Sequence, residues 1–585
     1  MKIIERIPQE LLDATNEFAK NLEWSRRLPI YEIHKWWARR YSGIVRLFLI
    51  YSYLDHNKLN GVKDFNKFVS KLYWDPPKIN GKTLLDPFCG GGTIILEASK
   101  LDFEAYGIEI NKLAYLILTS YKELNKLNIH KLKEEIVDFA EKINKELWRT
   151  KCKKGHDAII IHTFLAWKNK KGNLQIRNSK IKDLDKYKSV YYCEKCEQIF
   201  EEKSDISYCP FCGNDLYKQH NGQKEYYKLH PYALEYYCPI CGVREIKKVD
   251  KQDIMNFFNC NFKTAQTKIQ TVTKIPPLNE TNRLIKNGIK YFDELLTPRQ
   301  KITFYEFLRR FRGTPYEKIS KLMVSDSLRS CSLLAYYSPK YKKVIPGFVI
   351  KSYWLPIQPV ELNPVSFIDN GFLKPLGRGN LISSYKKILK ALKNDHGYVN
   401  NYKVYLGASQ DILKKLRKKF DIVFTDPPYA DYQYYSDLSL FNLSFLQELN
   451  KEYMDYLLDK EIVLREKSEL EGYISKLSEV FALIKKHLSA NGKLIITFHH
   501  PDIKVIKEFV SIFKQLQLNL DAVYPVVGES SGKLSKRKLY LDLLFVFSKR
   551  KKETHFVPTN IYMTKEDERL IQFIDEIVED YNNDS

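Results

Sequence analysis

Two apolar strands that each end in an acidic residue followed by proline constrain this chain more than anything else in it. The first lies in "KTLLDPFCGGGTIILEASKLDFEAYGIEIN", Lys82 to Asn111, which reads strand, glycine loop, helix, strand, half of a nucleotide-binding α/β unit. The second is "FDIVFTDPPY", Phe420 to Tyr429, far downstream. Proline cannot continue a sheet ladder, so Pro427 and Pro428 stop the strand and leave a rigid loop at its carboxyl end. Ligands of open α/β sheets bind at that edge. The α/β pattern resumes from about Leu376 with strand "KVYLG", helix "DILKKLRKKF", the Phe420 strand, "KLIITF" and "LYLDLLFVFS". The economical architecture is one doubly wound α/β sheet split by a large insertion between its second and third strands.

In "DPFCGGGT", Asp86 to Thr93, three glycines precede a helix. Glycine lets backbone approach a ligand, and a helix amino terminus favours a polar or anionic group. Glu109 ends the next strand about 20 residues on, the spacing at which a carboxylate can accept the ribose hydroxyls of an adenosine. No Gly-Lys-Ser/Thr follows, which argues against a phosphate-binding P-loop. The Gly-x-Gly-x-x-Gly form of nicotinamide sites is absent as well.

The net charge of +24 and pI near 9.2 call for a polyanionic partner, of which nucleic acid is the economical choice. Six of the ten cysteines fall in three Cys-x-x-Cys pairs, a spacing that in a reducing compartment indicates metal rather than disulfides. Cys193 and Cys196 with Cys209 and Cys212 close one ribbon around a zinc ion. Cys238 and Cys241 need two more ligands, which Cys152 and His156 offer, with Cys260 as a substitute. A catalytic zinc keeps an open position, and a deaminase presents His-x-Glu, which does not occur near these cysteines; the expected zinc is structural, one ion or two. The amino terminus has no apolar signal region and nowhere do roughly 18 apolar residues run together. The expectation is a soluble, cytoplasmic protein with no membrane partner.

The glycine loop, "GIEIN" and "TDPPY" together resemble the motif set of S-adenosylmethionine-dependent amino-methyltransferases acting on nucleic-acid bases. Within that class "IHKWWARR", "ELLTPRQ", "PVELNP" and "DPPYADYQYYSDLS" resemble, in order, segments of the zinc-ribbon-containing adenine-specific DNA methylases. The resemblance implies a Rossmann-like, seven-stranded methyltransferase sheet split by a zinc-ribbon and helical insertion. The parts are then a helical segment at 1–82, a cofactor half at 83–150, a zinc ribbon at 151–262, a helical and irregular target-recognition region at 263–375, a catalytic half at 376–550 and an acidic helical tail at 551–585.

By the same resemblance Asp86, Cys89, Gly90 and Gly92 line the cofactor's methionine end, Pro87, Phe88 and Thr93 are further cofactor-binding residues, Glu109 holds the ribose and Ile110 lies against the adenine. The region around His34 and Trp37 to Arg40 corresponds to a segment that closes over the cofactor's amino-acid end, with His34, Trp37 and Arg39 as its expected cofactor residues. Many relatives place an acidic residue directly after the third strand, whereas this chain has Ala408, Ser409 and Gln410 before Asp411; Ser409 is the expected cofactor residue there. Asp426, Pro427, Pro428 and Tyr429 are the expected catalytic loop, with Tyr432, Tyr434 or Tyr435 closing over a base. Cys89 as a cytosine-C5 nucleophile is disfavoured, since those enzymes use a Pro-Cys dipeptide on a separate loop.

The implied function is methyl transfer from S-adenosylmethionine to N6 of an adenine flipped out of double-stranded DNA, with defence-system proteins as further partners. The rivals are an RNA methyltransferase on adenine N6 or tRNA guanine N2, a DNA cytosine-N4 methyltransferase, and a non-catalytic zinc-ribbon DNA adaptor. The tRNA guanine-N2 enzymes carry an RNA-binding domain before the glycine loop, which the preceding segment here does not resemble.

Overall fold

The computed structural model describes residues 1–25, 28–203, 205–216, 228–258, 273–347, 352–369, 373–394, 401–430, 434–528, 541–557 and 565–583. Cys260 and Tyr432 lie outside the described residues. Two compact units divide the chain, one of Met1–Lys122, Lys393–Ser436 and Lys451–Ser585, the other of Glu123–Leu392 and Asp437–Asn450.

The first unit is built on a sheet of β1 (Thr83–Asp86), β2 (Glu104–Glu109), β3 (Tyr402–Leu406), β4 (Phe420–Thr425), β5 (Leu488–Phe498), β6 (Asn519–Val527), β7 (Leu541–Ser548) and β8 (His555–Phe556). Their order is β3-β2-β1-β4-β5-β7-β6-β8. The strands from β3 to β5 run parallel, and β7 is antiparallel to both neighbours. The expected strand number was seven; the eighth is the two-residue β8, which extends the edge parallel to β6 and is too short to carry a period in sequence. The central strands bury consecutive residues on both faces of the sheet, as in a sheet covered on both sides: Leu84, Leu85, Val423, Phe424, Leu494 and Ile495 are fully buried. Residues 110–401 separate β2 from β3, so two hydrogen-bonded neighbours are joined only through the second unit.

Helices Gln9–Ser25, Ser42–Tyr51 and Phe65–Trp74 precede the sheet. The acidic final segment is helical over Lys565–Asn583, and Leu570, Phe573, Ile574 and Ile577 on one of its faces belong to the same apolar core as β4, β5 and β7.

The second unit contains an antiparallel sheet in the order Val360–Leu362, Asp157–Lys168, Lys228–Cys238, Val243–Lys248. A three-stranded ribbon of Lys180–Asp183, Lys188–Tyr192 and Ile199–Lys203 and a hairpin of Ala335–Ser338 with Lys343–Pro346 accompany it. Its helices include Ile129–Leu147, Pro298–Phe311 and Glu317–Leu328. Among the described helices none is long and apolar enough to cross a membrane.

Candidate functional site

The carboxyl ends of β1, β2, β3 and β4 converge on one cavity of about 120 Å³ in the first unit. Its floor is the glycine loop. Asp86 is buried, accepting from the Phe88 N–H at 3.1 Å and the Thr425 hydroxyl at 2.8 Å. Burial pushes its carboxyl up to about 8 against the pull of those two donors. Gly92 has φ of 82° and begins the helix Thr93–Lys100; a Cβ there would lie 2.2 Å from Leu118 Cδ2. Gly90 has φ of 46° and faces the Trp36 indole, whose Nε1 would sit 3.0 Å from an added Cβ. The loop thus needs glycine once for its turn and once for close approach.

Glu109 is hydrogen-bonded to this loop. Its two oxygens accept from Gly90 N–H at 2.8 Å and Asn111 N–H at 2.7 Å. Burial raises its carboxyl to about 7, and the backbone donors oppose that rise. A carboxylate has roughly four acceptor positions, so two remain for hydroxyl groups of a ligand. The Cys89 thiol is buried and pushed well up by that burial, which removes the thiolate a C5 nucleophile needs. Ser409 Oγ donates to the Pro87 carbonyl at 2.5 Å, tying the β3 loop to the β1 loop. Ala408, Ser409 and Gln410 line the cavity, while Asp411 accepts from Tyr456 at 3.0 Å and lies outside it.

Asp426 directly follows β4 and also lines the cavity, its side chain 16% exposed. Arg40 grips it with two parallel bonds, Nε to Oδ2 at 2.7 Å and Nη2 to Oδ1 at 2.6 Å. Thr497 Oγ1 donates to Oδ1 at 3.0 Å, and the Tyr429 hydroxyl donates to the same oxygen. Burial pushes the Asp426 carboxyl up, and Arg40 pulls it back. The third arm of Arg40 reaches Asp542 Oδ2, whose other oxygen is 2.8 Å from His499 Nδ1. The Arg40 guanidinium also lies 5.0 Å from the centre of the Tyr429 ring. Tyr473 donates to the Pro428 carbonyl at 2.5 Å; the Pro427 carbonyl receives no donor among the described residues.

Of the residues expected from sequence, Arg39, Asp86, Pro87, Phe88, Cys89, Gly90, Thr93, Glu109, Ile110, Ser409, Asp426, Pro427, Pro428 and Tyr429 line this cavity. His34, Trp37 and Gly92 do not. His34 is buried with Nδ1 2.8 Å from the Lys35 carbonyl, and Trp37 packs edge-on against Trp36 at 5.2 Å. It is Trp36 that enters the cavity, stacked on Tyr435 at 5.7 Å. Arg40, Gln410 and the segment Lys460–Val463 also line it. Glu461 accepts from Ser436 N–H at 3.2 Å and from its hydroxyl at 2.5 Å. Nothing in the sequence around Lys460–Val463 signals a site, whereas Arg40 belongs to the stretch Trp37 to Arg40 that the resemblance sets over the cofactor; its grip on Asp426 is not signalled by sequence.

The second unit gathers the cysteines into two groups, Cys193, Cys196, Cys209 and Cys212, and Cys152, His156, Cys238 and Cys241. Within each, the ligand atoms lie within 4.8 Å of one another. Cys193 and Cys212 sulfurs are 3.6 Å apart and Cys196 and Cys209 sulfurs 3.7 Å. Four sulfurs about 2.3 Å from a tetrahedral zinc lie about 3.8 Å apart, whereas a disulfide is about 2.05 Å long. His156 Nδ1 is 3.2 Å from Cys241 Sγ. Each Cys-x-x-Cys turn closes alike: Glu197, Gly213 and Gly242, all with positive φ, donate to the carbonyls of Cys193, Cys209 and Cys238. Gly155 does the same to Cys152. Both groups could hold zinc. Metal analysis of purified protein is expected to find two zinc ions per chain, falling to one in Cys238→Ser; one ion that survives this substitution removes the second site.

Residues 78–157 match the family model UPF0020: RMKL-like, methyltransferase domain. The match spans the glycine loop, Glu109 and the helices that follow, and supports an enzyme that transfers methyl groups, for which S-adenosylmethionine is the expected donor. No curated protein matches the chain. Among solved structures, precorrin 8W decarboxylase of Methanobacterium thermoautotrophicum is matched at 13% identity and a TM-score of 0.15, over 28% of this chain and 62% of that one.

Proposed function

We propose that this protein is a DNA methyltransferase that methylates N6 of an adenine flipped out of the duplex. The observation that carries the reading is one cavity lined by the glycine loop, Glu109 and the Asp426 carboxylate together. The loop and Glu109 suit S-adenosylmethionine: Gly90 leaves room a side chain would fill, and Glu109 keeps acceptor positions for ribose hydroxyls. The bound cofactor would supply an electrophilic methyl group.

The exocyclic nitrogen of adenine is a poor nucleophile because its lone pair is delocalised into the ring. Asp426 Oδ and the Pro427 carbonyl, aimed at its two hydrogens, favour the tetrahedral nitrogen that can attack. As positive charge grows there, Asp426 stabilises the transition state more than the ground state, and its raised pKa suits it to take the departing proton. An incoming amino group must first replace Arg40 on this carboxylate. Asp542 already holds the third arm of Arg40, so the cation keeps a partner when it yields. Tyr429 and Tyr435, which line the cavity, are the rings offered to the flipped base. The cysteine groups, filled with zinc, staple a segment with little apolar sequence.

Transfer of labelled methyl groups from S-adenosylmethionine to duplex DNA, single-stranded DNA and tRNA, followed by nucleoside analysis, tests this reading. N6-methyladenine in DNA is expected. Label in RNA, or at cytosine N4, moves the assignment to the corresponding rival, and no label with intact cofactor binding leaves the adaptor. Glu109→Ala is expected to raise the cofactor dissociation constant roughly tenfold or more, the scale of hydrogen bonds to a charged acceptor. Affinity of the unaltered protein should fall as pH drops through about 7, because Glu109 becomes protonated there; calorimetry across that range checks both.

A further inference from the structure

Two turns of the second unit project tyrosines into solvent beside lysines. Tyr187, in the turn joining strands Lys180–Asp183 and Lys188–Tyr192, is 73% exposed, and Tyr341, at the tip of the hairpin Ala335–Ser338/Lys343–Pro346, is 62% exposed. Lys186 Nζ is 5.4 Å from the Tyr187 ring centre. Lys340 and Lys343 are 5.8 and 5.5 Å from that of Tyr341. The turns touch: Lys342 Nζ donates to the Leu184 carbonyl at 2.7 Å.

Neither tyrosine is in the apolar core, so packing explains neither ring. Asp185 holds its own turn, accepting from Tyr187 and Lys188 N–H. Lys188 pairs with Glu201; Lys186, Lys340 and Lys343 have no ion-pair partner among the described residues. Both backbones are fixed, the first by Asp185 and the second by Lys342, which has φ of 48° and donates its N–H to the Pro339 carbonyl at 3.2 Å. The rings are therefore presented at little further entropic cost. Exposed rings interleaved with cations match a strand that offers free base faces and phosphates in alternation. A duplex offers only base edges, because its faces are already stacked.

We propose that these two turns form a binding surface for single-stranded nucleic acid, with Tyr187 and Tyr341 stacking on bases and Lys186, Lys340 and Lys343 meeting phosphates. The proposal shares with the catalytic reading only the class of partner, and it is tested by binding alone. Labelled single-stranded DNA, single-stranded RNA and duplex DNA are titrated with the full-length protein and with two double variants, Tyr187→Ala/Tyr341→Ala and Lys340→Ala/Lys343→Ala. Tyr187, Lys340 and Tyr341 are exposed and Lys343 is half-buried in the strand pair next to its turn; melting temperature and zinc content are expected to match the unaltered protein and are measured alongside.

The tyrosine variant is expected to lose about tenfold or more in affinity for both single strands and much less for the duplex. Equal losses on DNA and RNA are expected because neither stacking nor phosphate contact reads the 2′-hydroxyl. The lysine variant should lower the slope of log affinity against log salt by roughly 1.4 for single strands, about 0.7 per phosphate contact. Unchanged binding in the tyrosine variant overturns the proposal, whatever the lysine variant does, since a merely basic surface remains. A tyrosine loss as large on the duplex as on single strands overturns it too. Binding that persists without any methyl transfer would sink the catalytic reading and leave this one standing.

Discussion

Asp426→Asn is expected to lower methyl transfer at least about a hundredfold while cofactor affinity stays near that of the unaltered protein. Asparagine keeps the size and one acceptor oxygen but loses the charge that, in the proposed mechanism, offsets the positive charge growing on the base nitrogen. Losing one preorganised electrostatic group costs on the order of a hundred- to a thousandfold. Alanine at this position is a harsher test, because it also strips Arg40 of a two-pronged partner. The guanidinium, 11% exposed, would then depend on Asp542. Cofactor binding by calorimetry and the melting temperature therefore accompany the rate. A folded, cofactor-bound Asp426→Asn protein that methylates at close to the normal rate would sink the assignment of this loop as the reaction centre. Tyr429→Phe separates ring from hydroxyl: the ring stays, but one donor to Asp426 is lost, so a fall in rate without a fall in nucleic-acid affinity is expected.

What was legible in the sequence is what local chain geometry encodes. The glycine loop, Glu109 and the Asp-Pro-Pro-Tyr turn are each written within a few residues, and the sheet brings them to one edge because all three sit at carboxyl ends of parallel strands. The cysteine groups were legible for the same reason, each half being a tight turn. Contacts between distant residues were not. Arg40, Asp426 and Asp542 form one charged cluster, yet no spacing relates them. In "IHKWWARR" the residues Trp36, Ala38, Arg39 and Arg40 line the cavity while Trp37 packs edge-on against Trp36 and His34 is buried outside it, a division that the motif's spacing does not reveal. The spacing of Leu570, Phe573, Ile574 and Ile577 signals a packed helix face, but the acidic composition of that segment obscures it.

The motifs "ELLTPRQ" and "PVELNP" carry no residue of the cavity, and the second large effect belongs to them. Arg299, 1% exposed, pairs with the fully buried Glu361. Its guanidinium donates to Thr163 Oγ1 at 3.0 Å and lies 4.6 Å from the Trp148 ring centre. Thr297 begins the helix Pro298–Phe311 in a capping box with Gln300, and its hydroxyl donates to Glu361 Oε1 at 2.6 Å. Gln300 reaches the Leu362 carbonyl, and Asn363 the carbonyl of Ile160. The two motifs thus join the helix Pro298–Phe311 to the strands Val360–Leu362 and Asp157–Lys168. Removing one member strands a buried charge, so Arg299→Ala or Glu361→Ala is expected to destabilise the second unit by about 3–5 kcal/mol. Replacing both together by apolar residues of similar volume, Arg299→Met with Glu361→Leu, should recover most of that, because desolvation had offset much of the attraction between the charges. Hydrogen exchange of the amides in Asp157–Lys168 reads the opening of this unit directly. Single substitutions that leave this exchange within about 1 kcal/mol of the parent, or a double variant as unstable as the sum of the singles, would mean that the pair is not what fastens these elements.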